Sequence, residues 1–406
     1  MRSAATPRRP TERTTDDEIR VCLLSAGTDG ISGGHRYHQR LLAAAPQAGF
    51  SMLVAAPALR ARLPPADVVV IDSLYAWTAA VAVRRRRRPA AVAIVHQHPG
   101  GSDAAGWRVA LRRRADLATY RACDLIVTPG PIVAGLLVTE HGIDPGRVAV
   151  IEPGCDLPAG DHRPALRDGR RLGLLNVANW LPNKGIMELL EAVAALPHDD
   201  VTLHLAGRAD VAPEYADRVL ARLGRPDLAG RVVVHGALAA AEVASLYAAA
   251  DTFVFTSRVE TYGSAVAEAL AFGLPIVGWR APHLSNLVDH DVEGVLVEPG
   301  HITELTAAIH RLAVDESERR RLAARARVRG ARLPTWSETT TRFFDALTRL
   351  VAEPVEPSDD SRSPVEVDPA DPGILDEQAL GERRRGTERP SEGSLDRTDV
   401  GHDDHH

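Results

Sequence analysis

Lysine is almost missing from this chain: Lys184 is the single lysine among 48 basic residues, and every other one is arginine. Aromatic residues are scarce as well, at 4% of the chain. That scarcity removes the stacking platforms on which single-stranded nucleic acids are held. The net charge of −6 also argues against a chain-wide nucleic-acid surface. Only three cysteines occur, Cys22, Cys123 and Cys155, far apart and with no CxxC pair. Such a set excludes a disulfide framework and suits free thiols in a reducing compartment. No run of about 18 apolar residues is present, and the opening "MRSAATPRRPTERTTDDEIR" lacks the apolar core of a secretory signal. The expected location is therefore the cytoplasm, with room for peripheral contact at the inner face of a membrane. Metal-ligand spacings are missing too: there is no HExxH, no paired-cysteine site and no DxD at a strand end. No cofactor or metal is expected.

What is present suffices for two cores. The chain has 406 residues with 45% hydrophobic content, whereas single cores rarely grow beyond roughly 250–300 residues. Residues 1–18 are polar and read as a disordered arm. The stretch 352–406, poor in aromatic and β-branched residues, reads as a disordered acidic tail. Between them, short apolar runs alternate with helix-length segments. The first set is "IRVCLLS", "FSMLVAA", "ADVVVID", "AVAIVHQ", "CDLIVTP" and "RVAVIEP", within 19–158. After a polar linker at 159–170 come "LGLLNVA", "VTLHLAG", "RVVVHGA", "DTFVFTS", "LPIVGW" and "EGVLVEP", within 171–335. Near-continuous apolar strands separated by helices predict parallel sheets covered on both faces. The expected fold class is α/β, with two doubly wound Rossmann-like domains facing across a cleft. Ligands in such sheets sit at the carboxyl ends of the strands. Helices are expected at 303–314, 316–330 and 336–351, the last capped by Ser337 and able to pack back on the N-terminal domain.

The segment "DTFVFTSRVETYGSAVAEALAFGLPIVGW" at 251–279 is the most informative. It reads as a strand, a polar loop at 257–263 and a helix stopped by Gly273 and Pro275. Amides near Tyr262, Gly263 and Ser264 would open the helix at the carboxyl end of a strand, where an anion is favoured. Glu260 and Glu268 frame this site. Carboxylates would repel a phosphate but accept paired hydrogen bonds from sugar hydroxyls. A diphosphate on the amides with hydroxylated rings on the glutamates describes a nucleotide-sugar.

Glu260 and Glu268 are separated by seven residues. With "SRVETYGSAVAEALAFGLPIVG" around them, they closely resemble the EX7E motif of retaining glycosyltransferases of family 4, which have the two-domain GT-B fold. The resemblance extends through "NWLPNKGIMELLEA" and "CDLIVTPGPIVAGLLVTEHGIDPGRVAVIEPGCDL" to "SGGHRYHQRLL", over roughly residues 20–350. It implies that Glu260 contacts the transferred sugar, Glu268 the ribose and Lys184 the diphosphate. It also implies that amides near Gly263 receive the diphosphate or sugar, that Gly33 and Gly34 close over a UDP- or GDP-type sugar donor, and that His96 lies beside the sugar. The acceptor would be a sugar, a lipid-linked compound or another small molecule. One departure stands out: the family usually carries an arginine where this chain has Asn179. Arg258 first, or Arg208, is expected to supply the missing cation.

Three rival readings remain. The glycine spacing at Gly27, Gly30 and Gly33 is not GxGxxG, and "FSMLVAA" ends without an acidic residue, which disfavours a dehydrogenase. A GT-B nucleotide-sugar 2-epimerase shares the architecture, and a degenerate nucleotide-sugar-binding module is the third. Arginine-rich stretches at 84–88 and 107–122 read either as solvated faces or as a surface for anionic lipid.

Overall fold

A computed structural model describes residues 18–25, 33–56, 64–83, 89–101 and 107–352. The N-terminal arm up to residue 17, Gly27 and Gly30, the arginine run 84–88 and the acidic tail from 353 lie outside the described residues. Spatial proximity divides the chain into Met1–Pro354 and Val355–His406, and everything described falls in the first unit.

The first sheet consists of β1 (Ile19–Leu24), β2 (Phe50–Ala55), β3 (Val68–Asp72), β4 (Ala90–Ile94), β5 (Leu125–Thr128) and β6 (Val148–Val150), in the order β2-β1-β3-β4-β5-β6. The second consists of β7 (Leu172–Val177), β8 (Val201–Ala206), β9 (Val232–Gly236), β10 (Thr252–Phe255), β11 (Ile276–Trp279) and β12 (Gly294–Val297), in the order β12-β11-β10-β7-β8-β9. Every pairing is parallel. The helices are α1 (Gly33–Ala44), α2 (Ala76–Val83), α3 (Trp107–Ala122), α4 (Pro131–Thr139), α5 (Ile186–Ala194), α6 (Pro213–Leu223), α7 (Ala240–Ala249), α8 (Ser264–Ala271), α9 (Ile302–Val314), α10 (Glu316–Gly330) and α11 (Trp336–Ala352). The central strands are buried along their length, β3 and β8 throughout, because helices cover both faces.

In each sheet the strand order reverses once, between β1 and β3 and between β7 and β10. Loops leave a reversal in opposite directions and open a crevice at the strand ends. The reversal in the second sheet places the loop carrying Lys184 beside the loop carrying Glu260. In the first sheet, the β3 and β4 ends come beside the start of α1.

Residues 151–171 carry neither strand nor helix. At the far end of the unit, α11 crosses back to the first sheet. Trp336, Phe343, Phe344 and Leu347 bury with Val21, Phe50 and Val70, and the Phe50 and Phe344 rings lie 4.7 Å apart. Thr339 Oγ1 and the Arg342 guanidinium donate to the carbonyls of Glu152 and Val150, at 2.8 and 2.7 Å. The cap of this helix is Thr335 rather than the expected Ser337. Glu338 N–H donates to Thr335 Oγ1 at 3.2 Å, and Glu338 Oε2 accepts from Thr335 N–H at 2.7 Å. These reciprocal bonds need a glutamate three residues on, which Thr335 has and Ser337 lacks.

Candidate active site

The wall from the second sheet rests on two glycines. Gly185 follows the short turn Pro182–Lys184 with φ +67, and a Cβ there would meet the Thr256 carbonyl oxygen at 2.3 Å. Only glycine lets the Lys184 loop lie this close to the loop after β10. Thr256 Oγ1 then donates to the Lys184 carbonyl at 2.9 Å, fixing the two loops together. Gly263, at φ +93, turns the second loop into α8. The first amides of α8 have no carbonyl of their own helix to donate to, and Gly263, Ser264 and Ala265 line a cavity.

Glu268 lies one turn inside α8 and is 2% exposed, so it is not a solvated helix residue. Tyr247 Oη donates to its Oε2 at 3.2 Å, and the Arg36 guanidinium donates to Oε1 from the opposite wall. Burial pushes this carboxyl's pKa up, while Arg36 and the Tyr247 hydroxyl oppose the rise. Glu260 accepts from Lys184 Nζ and, at 3.3 Å, from Ser257 Oγ.

The opposite wall comes from the start of α1 and the ends of β3 and β4. A Cβ on Gly33 would lie 3.5 Å from Ser264 Oγ, and one on Gly34 would lie 3.1 Å from the His96 ring. Gly34 is therefore tight against the histidine, and Gly33 stands within ordinary contact of the other wall. His96 N–H donates to Ser73 Oγ at 2.9 Å, and its carbonyl accepts from Thr261 Oγ1 across the cleft at 2.8 Å. Its Nε2 lies 3.0 Å from Nε2 of the fully buried His38. Burial lowers the pKa of His96 to about 4 and that of His38 to about 3, so both rings are neutral at neutral pH. Behind them, Asp72 Oδ2 lies 3.8 Å from His38 Nδ1.

His38, Asp72 and His96 also form the one group among the described residues with metal-ligand atoms all within 4.8 Å of one another. Within this group His38 turns one nitrogen to His96 and the other to Asp72.

The cavity measures about 370 Å³ and is lined by eleven of the twelve expected residues together with Arg36 and Trp336, as follows. Glycines 33 and 34, His96, Asn179, Lys184, Glu260, Tyr262, Gly263, Ser264 and Glu268 all border it, and Arg208 does as well. Arg258 does not. Its Nη2 donates to Glu188 Oε1 on α5 at 2.7 Å, which draws the side chain to the outer surface. This corrects the expectation that Arg258 stands first in line to replace the cation missing at Asn179. Arg208 is at the cavity but grips Asp210 through two bonds of 2.8 and 2.6 Å. Asn179 Oδ1 accepts from the Arg208 backbone N–H at 3.1 Å, so this asparagine joins the loops after β7 and β8. The cation that the sequence reading missed is Arg36. Its signal was its place in the first turn of the helix opened by Gly33 and Gly34, in "GGHRYH".

Two family models match the chain: "Glycosyltransferase Family 4" over residues 11–158 and "Glycosyl transferases group 1" over residues 161–329. The chain belongs to glycosyltransferase family 4. Among the chain's curated relatives, the D-inositol 3-phosphate glycosyltransferase of Xylanimonas cellulosilytica is 32% identical over 55% of this chain and 56% of that protein. The MMP alpha-(1->4)-mannosyltransferase of Mycolicibacterium hassiacum is 29% identical over 64% of this chain and 66% of that protein. The matched part thus spans between half and two thirds of these relatives' lengths. Among solved structures, Anabaena HepE in complex with UDP and glucose has a TM-score of 0.68 at 18% identity, covering 82% of this chain and 100% of that one. Sucrose-phosphate synthase from Thermosynechococcus elongatus has a TM-score of 0.70 at 19% identity, covering 82% and 99%. The fold of this chain is accordingly GT-B. No helix among its described residues is long and apolar enough to cross a membrane.

Proposed function

We propose that this family 4 glycosyltransferase moves a sugar from a nucleotide-sugar to an acceptor hydroxyl, with retention of anomeric configuration and without a metal. The observation that carries the reading is the convergence of Lys184, Glu260, Glu268 and the α8 N-terminus on one cavity. The diphosphate takes the α8 amides and draws Lys184 away from Glu260, which frees that carboxylate for sugar hydroxyls. Glu268 receives the ribose, with Arg208 the nearer of the two expected replacement cations. As the donor's anomeric carbon–oxygen bond breaks, the negative charge growing on the leaving diphosphate is held by Lys184 and the amides. Fixed donors of this kind are worth several kcal/mol where water is excluded. The acceptor oxygen bonds to the anomeric carbon from the leaving-group face, and its proton passes to the departing phosphate. Relatives named for glycosyl transfer and the UDP-bound HepE support the choice of donor.

Mass spectrometry of products from a panel of UDP-, GDP- and ADP-sugars with candidate acceptors tests this. The expected product is a glycoside with the donor's anomeric configuration. Free nucleotide with an epimerised sugar, formed without acceptor, would establish the 2-epimerase reading instead, and binding without turnover would establish a binding module. The acceptor reading extends to a lipid surface, because α3 exposes Trp107 and Leu111 alongside Arg108, Arg113 and Arg114. Co-sedimentation with phosphatidylglycerol vesicles, lost in high salt, is expected. Failure to bind them at low salt would remove it.

A further inference from the structure

Behind His96 lies a buried chain of groups that touches no ligand site directly. Asp72 ends β3, and its Oδ1 accepts from Leu74 N–H at 2.9 Å with Ser73 Oγ 3.5 Å away. Burial pushes the Asp72 carboxyl pKa up, while the Leu74 and Ser73 donors oppose the rise, favour the ionised carboxylate and leave Oδ2 facing His38. His38 is 0% exposed, its Nδ1 has no hydrogen-bond partner, and the Asp72 carboxylate faces it at 3.8 Å. A lone pair turned toward a carboxylate in a dry interior is repelled, whereas an N–H is attracted. The proton of neutral His38 therefore sits on Nδ1, and its Nε2 is an acceptor. Across the 3.0 Å contact, His96 Nε2 must then be the donor. That leaves His96 Nδ1 as a lone pair.

We infer that His38 and Asp72 are positioning residues that hold His96 as its Nε2–H tautomer, so that Nδ1 accepts a hydrogen bond from a hydroxyl of the sugar in the cleft. This rests on the proposed nucleotide-sugar site, because His96 lines that cavity. It adds selectivity for ligands that present an O–H at this place over those that present only an acceptor. Asp72→Asn tests the direction of the chain. The Leu74 amide claims the amide oxygen of the asparagine, which turns its NH₂ to His38 Nδ1. Every hydrogen bond in the chain then reverses, and His96 becomes an Nδ1–H donor.

The measurement is the ¹⁵N chemical shifts of the His96 ring in the full chain, assigned by their loss in His96→Gln. The wild type is expected to show a protonated Nε2 and an unprotonated Nδ1, with the pattern inverted in Asp72→Asn. His38→Gln places a carbonyl oxygen near the former Nε2 and should keep the wild-type pattern, whereas His38→Leu should lose it. A wild-type His96 protonated on Nδ1 overturns the inference, as does a pattern that Asp72→Asn leaves unchanged in a folded protein. In turnover, Asp72→Asn should lower kcat about tenfold with little change in donor KM, and His38→Gln should stay within about twofold of wild type. The ring shifts need no substrate. A protein with the expected tautomers that neither binds nor turns over nucleotide-sugars would therefore sink the donor-site reading alone.

Discussion

The two walls of the cleft are built by opposite strategies. The wall from the second sheet is local in sequence: the loop after β10 and the first five residues of α8 supply Glu260, Gly263, Ser264 and Glu268 within nine consecutive positions. Lys184 and its glycine come from the loop after β7, one strand away at the reversal of strand order, and Asn179 and Arg208 come from the loops after β7 and β8. The wall from the first sheet is dispersed, with Arg36 and His38 on α1, Asp72 at the end of β3 and His96 after β4. The walls also differ in chemistry. The first wall meets the second through the Arg36–Glu268 pair and the Thr261–His96 bond, and its own interior holds neutral histidines kept so by burial. A local wall tolerates change in the rest of the chain, whereas a dispersed wall depends on the sheet for its alignment.

The sharpest break in that contrast should come from Lys184, the cation of the local wall. Lys184→Ala is expected to lower transfer about 100- to 1000-fold, the cost of losing one preorganised charge from the leaving group. Lys184→Arg should also impair it, by about tenfold, because a planar fork does not replace a compact ammonium on a tightly held loop. Steady-state kinetics reads both, and near-normal turnover of the arginine variant would refute the point-charge reading.

Arg36→Ala probes the join between the walls. Glu268 would be left buried without its guanidinium, at a cost of about 3 kcal/mol in urea unfolding. Its carboxyl pKa is already raised by burial. The penalty should therefore be greatest well above the ordinary glutamate range and shrink in acid, as protonation removes the charge. A penalty equal at pH 5 and pH 8 would contradict this.

Acid should act on the dispersed wall. Both histidines have folded pKa values, about 3 and about 4, below the unfolded value of 6.5. The unfolded chain thus binds more protons between those limits, and stability present above pH 6.5 is lost as the pH falls toward 4. The slope should approach roughly 1.4 kcal/mol per pH unit for each group. His38→Gln combined with His96→Gln should flatten that part of the profile in denaturant titrations, and an unchanged slope would place the acid response elsewhere.

The smallest effect belongs to Arg258→Ala. With its charge directed to Glu188 on the outer surface, turnover and donor KM should stay within about twofold, as for other exposed pairs. Arg208→Ala should raise donor KM more. The reverse ranking would show that Arg258 swings into the cleft.

These contrasts also explain what could be read in advance. Strands such as "VTLHLAG" and "DTFVFTS" announce themselves because a strand buried on both faces is mostly apolar rather than alternating. Glu260 and Glu268 were legible because their spacing fits a loop and a position one turn into the following helix, a relation fixed by local geometry. Arg36 was not, since its partner Glu268 is 232 positions away and nothing local distinguishes it from the other arginines. His38 looked like an ordinary residue of α1 until the β3 and β4 ends closed around it. The misplaced cap at Ser337 and the misdirected Arg258 share a cause: each was assigned by nearness in sequence, and each was decided by which carboxylate the side chain or amide met.

By itself the sequence determined the alternation of strands and helices, the two sheets and the local wall of the cleft. These follow from periodicity, from glycines at left-handed turns and from spacings of less than about two helical turns. Tertiary structure alone decided which charges meet. Ion pairs and histidine contacts depend on distances of a few ångströms between segments far apart in the chain, and those distances are set only when the parallel strands align their carboxyl ends.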